Sequence, residues 1–157
     1  MDREQAIRLM QDLLRRMVDR KGSDLFITAG FPPAIKIDGE VRPQTDKVLA
    51  PEQSAVLVRS IMNDRQTREF DSTKEANFAI APPGIGRFRV SAFVQQGHTG
   101  CVIRQINATI PTIEELELPA ILKDIVMSKR GIVIVVGATG SCKSTSLASM
   151  VGYRNEK

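Results

Sequence analysis

Apolar residues recur at helical spacing from the start of the chain. Ala6, Ile7, Met10, Leu13, Leu14, Met17 and Val18 fall on one stripe between charged and amide side chains. This predicts an amphipathic helix over 2–20, closed by Lys21-Gly22. The period then changes. Residues 24–28 and 34–37 read as short strands, separated by Gly30 and Pro32-Pro33. Asp38-Gly39 after the second is a tight hairpin signal. Pro51 opens a second helical stretch carrying Ala55, Val56, Leu57, Val58, Ile61 and Met62, and a short helix is expected over 64–70. Three strand candidates follow. The first is 76–81. The second is 86–94, with Phe88, Val90, Ala92 and Val94 on one face. The third is 101–106, reached through a loop that holds His98. Residues 108–112 read as a linker, and 113–127 as a helical stretch broken by Pro119. Residues 132–136 are an apolar run, Ile-Val-Ile-Val-Val, predicted to be a buried strand. A helix over 144–151 comes next.

The pattern predicts an α/β chain. A mixed α/β domain built on an antiparallel sheet covers 1–107, a linker and broken helix cover 108–130, and a further piece begins at 131. One strand and one helix do not make a domain, so the last piece reads as the beginning of a larger parallel-sheet unit. Its strand is expected to be an edge without neighbours.

Composition changes this picture little. A net charge of +4 with no dense Lys/Arg block gives no case for nucleic acid as a partner. Two distant cysteines and a single histidine form neither a disulfide framework nor a zinc site, and they suit a reducing cytosol. Cys101 reads as a small buried hydrophobe. No apolar run approaches membrane-span length, so any membrane association is expected to run through partners. His98 reads as a solvated loop residue, Asp24 as a residue shaping the entry to its strand, and Glu114, Glu115 and Glu117 as a solvated helix start.

The chemistry lies near residue 140. Gly137-Ala138-Thr139-Gly140-Ser141-Cys142-Lys143-Ser144, followed by Thr145, fits the phosphate-binding pattern G-x-x-x-x-G-K-[ST] at seven of its eight positions. In such a loop backbone N–H groups and a helix N-terminus face a triphosphate. Lys143 would reach the β- and γ-phosphates of ATP, and the Ser144 hydroxyl would bind Mg²⁺. The departure is Cys142, where the pattern has glycine. A positive φ there would cost about 1 kcal/mol or more, and the sulfur would crowd the phosphate. Weaker ATP binding than in a glycine version is the expectation.

Several stretches together resemble a known family. Ser23-Asp24-Leu25-Phe26-Ile27-Thr28-Ala29-Gly30-Phe31-Pro32-Pro33, then Ile37-Asp38-Gly39, is similar to the N-terminal domain of the type IV pilus retraction ATPases. These form the PilU/PilT family of the secretion-ATPase superfamily. Gly86-Arg87-Phe88-Arg89-Val90-Ser91-Ala92-Phe93 is similar as well, and so is Arg130-Gly131 leading into the phosphate loop. Phe26, where PilT-type members usually carry His, and Ile27-Thr28-Ala29-Gly30 bring the resemblance nearer to the PilU type. The resemblance implies a PAS-like N-terminal domain, a linker and the beginning of a RecA-like ATPase domain. It also implies a homo-hexameric motor in the cytoplasm that binds ATP between its domains and retracts pili in twitching motility. Its partners would be a PilT-like ATPase and a platform protein at the inner membrane. The acidic and histidine boxes of the family lie beyond the phosphate loop and are not in these 157 residues, so this stretch alone is expected not to hydrolyse ATP at a useful rate.

The resemblance further implies arginines that contact the γ-phosphate, and Arg89 and Arg104 match those positions. Strand periodicity supports them independently. Arg87, Arg89 and Ser91 share a face, and Arg104 joins it if Ser91 pairs nearby; a one-residue slip would separate them. Two rival readings stay open. One is a non-hydrolysing oligomerisation or regulatory module, favoured by Cys142 and by the end of the chain at Lys157. The other is a type II secretion or pilus-assembly ATPase of the same superfamily.

Overall fold

The computed structural model describes residues 1–106, 110–138 and 142–157. They fall into two compact units, Met1–Ile106 and Asn107–Lys157.

Unit 1 is a mixed α/β structure. Helix α1 (Arg3–Asp19) starts where Asp2 caps it. The Asp2 carboxylate accepts from the Gln5 N–H at 2.7 Å, and the Gln5 side chain accepts from the Asp2 N–H in return. Strands β1 (Asp24–Ile27), β2 (Ala34–Ile37) and β3 (Glu40–Pro43) form a meander. Asp38 at φ 51° and Gly39 at φ 84° make the tight β2–β3 turn. Helix α2 (Pro51–Ser60) begins with Pro at its first position, and α3 (Asp64–Thr73) is capped by Asn63 and Gln66. Strands β4 (Glu75–Ile80), β5 (Arg87–Gln95) and β6 (His98–Ile106) complete an antiparallel sheet in the order β3-β2-β1-β6-β5-β4.

Period-two burial gives the sheet a closed face and an open one. Leu25, Ile27, Ile35, Val90, Ala92, Cys101 and Ile103 point to the closed face. There α1, α2 and α3 cover them with Met10, Leu14, Met17, Leu57, Val58 and Phe70. Burying such a side chain contributes about 1.5–3 kcal/mol. Lys36, Asn77, Arg89, Ser91, Val102 and Arg104 lie on the other face, exposed or half-buried.

Three expectations are corrected here. Strand β3 was not foreseen, because Glu40-Val41-Arg42-Pro43 has no apolar alternation; its pairing to β2 forms it. The loop expected over 95–100 is a two-residue turn at Gln96-Gly97, and His98 opens β6 opposite Gln95. In unit 2 the run 132–136 is not a strand. It pairs with nothing among the described residues, and Ile132, Ile134 and Val136 are at least three-quarters exposed. A strand takes its hydrogen bonds from neighbours, and the described residues of unit 2 supply none. The rest of unit 2 comprises a turn over 113–117 and helices α4 (Ile121–Met127) and α5 (Lys143–Glu156). Lys123 pairs with Glu114 and lies over the Tyr153 ring at 5.6 Å. The carboxyl of Glu114 sits below its usual range, chiefly through the Lys123 hydrogen bond.

Candidate functional site

Two sets of chemically notable side chains emerge, one in each unit. In unit 2 the phosphate-loop residues lead into α5, a 14-residue helix. Gly137 and Ala138 are exposed, while Thr139, Gly140 and Ser141 lie outside the described residues. Cys142 stands at the N-cap with φ 56° and ψ 19°, the left-handed region. This is the conformation that favours glycine, and a Cβ there costs about 1–2 kcal/mol. The Cys142 carbonyl accepts the helical hydrogen bond from the Ser146 N–H at 2.9 Å. Lys143, Ser144 and Thr145 make the first turn of the helix.

The Lys143 ammonium reaches back along the chain. It donates to the Gly137 carbonyl at 2.7 Å and to the Ala138 carbonyl. A cation held at a helix N-terminus suits a polyphosphate, since the helix dipole and the first N–H groups carry the same sign. The exposed Ser144 hydroxyl is an oxygen donor of the kind magnesium takes beside phosphates. The donor set therefore fits a nucleotide with its magnesium, with Cys142 as the strained member. Among the described residues no cluster of His, Cys, Asp and Glu could hold a metal by itself.

In unit 1 the open face of the sheet gathers the arginines. Arg89 on β5 stands directly opposite Arg104 on β6, and Arg104 stands directly opposite Asp24 on β1. Ser91 opposes Val102, two residues from Arg104, so Arg87, Arg89, Ser91 and Arg104 share one face. Asp24, Arg89, Ser91, Val102 and Arg104 line a groove of about 180 Å³. The Arg104 Nε–H donates to Asp24 Oδ1 at 2.8 Å, and the Ser23 hydroxyl donates to Asp24 Oδ2 at 2.8 Å. Sequence reasoning put Arg89 and Arg104 on one face only if Ser91 paired near Arg104, and gave Asp24 only a role at the strand entry. Its pairing depends on β1 lying beside β6, a contact between residues 80 positions apart.

The model of the type II/IV secretion system protein family matches residues 1–157, and the chain belongs to that family. Within it the chain is similar to the type IV pilus ATPase PilU of Pseudomonas aeruginosa. The two are 57% identical over 146 residues, covering 93% of this chain and 38% of PilU. It is 41% identical to the type IV pilus retraction ATPase PilT of the same organism, over 92% of this chain and 42% of PilT. The crystal structure of the pilus retraction motor PilT with bound ADP superposes with a TM-score of 0.82 at 34% identity, over 92% of this chain and 43% of that one. The chain thus spans about two-fifths of the length of these relatives. Among the described residues no helix is long and apolar enough to cross a membrane.

Proposed function

We propose that this chain is the ATP-binding front part of a hexameric motor that powers type IV pilus retraction and twitching motility. The observation that carries the reading is the loop ending in Cys142-Lys143-Ser144 at the start of α5, with the Lys143 ammonium held over the loop carbonyls. The names of PilU and PilT supply the pilus context. In this reading Gly137, Ala138, Thr139, Gly140, Ser141 and Cys142 wrap the phosphates, Lys143 neutralises them, and Ser144 holds Mg²⁺ with Thr145 beside it. Bound magnesium would offset charge building on the phosphate oxygens. Arg89 and Arg104 act as arginine fingers on the γ-phosphate. The motor works in the cytoplasm, with a PilT-like ATPase and an inner-membrane platform protein as partners.

The test is turnover by a motor protein that carries the complete ATPase half. Arg89→Ala or Arg104→Ala is expected to lower kcat about a hundredfold, with a much smaller change in nucleotide Kd. Unchanged turnover in both variants removes the arginine-finger reading. A second reading, a non-hydrolysing oligomerisation or regulatory module, is favoured by the left-handed backbone at Cys142. Turnover by the unsubstituted motor well above background excludes it.

A further inference from the structure

The Asp24–Arg104 pair is lopsided. The Asp24 side chain is 7% exposed and that of Arg104 is 70% exposed. Both carboxylate oxygens of Asp24 are engaged, one by the Ser23 hydroxyl and one by Arg104, which fixes the plane of the carboxylate. The contact on the arginine side uses Nε alone. Arg–carboxylate pairs are frequently bidentate, with two parallel N–H···O bonds. Here the side of the fork is held, and among the described residues its two Nη groups have no partner. Across the register Arg104 faces Arg89, and like charges directly opposite on a sheet repel. Asp24 stands on the other side of Arg104 and offsets that repulsion.

We propose that Asp24 is a positioning residue for Arg104. It grips the guanidinium at Nε and turns the two Nη groups outward over the groove, beside Arg89, as a fixed pair of donors for a terminal phosphate. The proposal rests on the arginine-finger reading above. The pair has the form of a rigid, low-exposure carboxylate on β1 orienting an exposed functional cation on β6. Such preorganisation matters because a small misplacement of a charged donor costs rate while leaving substrate binding largely intact.

Two measurements test it. In this chain, the Arg104 Nε–H resonance is expected to exchange with water at least about tenfold more slowly than that of exposed Arg87; Asp24→Asn, which leaves only a neutral acceptor, is expected to narrow the difference, and Asp24→Ala to abolish it. In the motor with its complete ATPase half, Asp24→Asn is expected to lower kcat about tenfold at nearly unchanged KM. Asp24→Glu, which keeps the carboxylate, should recover part of the loss. In an Arg104→Ala background, Asp24→Asn should lower kcat no further, since the group it positions is gone. A merely structural Asp24 would instead lower kcat equally in both backgrounds, which overturns the proposal. If Arg104→Ala is damaging but Asp24→Asn leaves both kcat and Nε–H exchange unchanged, the finger stands and the positioning falls. If Arg104→Ala itself is neutral, the finger reading falls and takes the proposal with it. Should Asp24→Asn fail to fold, Ser23→Ala loosens the same carboxylate from its other oxygen, and an unaltered kcat in that variant counts against the proposal.

Discussion

Val90 and Ile134 are both β-branched residues in stretches predicted to be strands, yet Val90 is fully buried and Ile134 is 78% exposed. The difference is pairing. Val90 lies in β5, bonded to β4 on one side and β6 on the other, with helices over its side chain. Ile134 has neither ladder nor cover among the described residues. The same contrast holds for the units as wholes. Unit 1 closes a core of helix and sheet residues around Leu25, Ile103 and Phe70. In unit 2, Ile113 and Met150 are the buried hydrophobics among the described residues. Sequence periodicity predicts which residues want burial, and only tertiary neighbours grant it.

The largest expected effect sharpens this contrast. Ile103 is fully buried on β6, between Leu25 and Val90. Ile103→Ala is expected to lower the unfolding free energy of unit 1 by about 2–5 kcal/mol. The exposed counterpart Ile134→Ala should change it by less than about 0.5 kcal/mol. Urea unfolding followed by circular dichroism reads both. Equal effects would break the comparison.

How far the sequence reveals this structure follows from the range of each signal. The α1 stripe, Pro51 at the first position of α2 and the Asp38-Gly39 turn are written within a few residues, and all are readable; Asp2, expected inside the helix, caps it instead. The Gln96-Gly97 turn was lost among neighbouring polar and glycine residues, although Gly97 at φ 78° is what lets the chain reverse there. Strand β3 carries no local signal because its side chains are exposed. The run 132–136 has the strongest strand composition in the chain and forms no strand, because composition cannot supply a partner. The helix opening at Lys143 was legible because its signal is sequential, whereas Asp24 meeting Arg104 depends on a register that only the folded sheet sets.

Each unit carries one cysteine, Cys101 buried and Cys142 exposed, so thiol chemistry probes the two separately. Burial pushes the Cys101 thiol up from its ordinary value of 9.0 to about 12. The folded state therefore favours the protonated thiol. That contribution is fully present below about pH 9 and is lost as pH rises toward about 12, because the unfolded chain releases its proton first. Between pH 9 and 11 the urea midpoint of the unsubstituted chain should fall more steeply than that of Cys101→Ala. A maleimide at pH 7 should label Cys142 and leave Cys101 untouched until unit 1 unfolds. Parallel pH slopes, or early labelling of Cys101, would show that the unit 1 core is looser than its burial implies.

The smallest effect bears on unit 2 and on the departure from the phosphate-loop pattern. At φ 56° a non-glycine residue carries about 1–2 kcal/mol of strain, and glycine carries almost none. Cys142→Gly should therefore let the loop hold its phosphate-facing form more readily and tighten ATP binding about five- to tenfold, measured by fluorescent-nucleotide titration. Cys142→Ala separates the two physical causes. Alanine keeps the Cβ and its strain but removes the sulfur. If alanine binds like cysteine, the left-handed backbone sets the affinity. If it binds like glycine, the sulfur crowding the phosphate does. Equal affinity in all three variants would mean that the loop tolerates its missing glycine, and that the contrast between a well-supported unit 1 and a strained unit 2 does not extend to nucleotide binding.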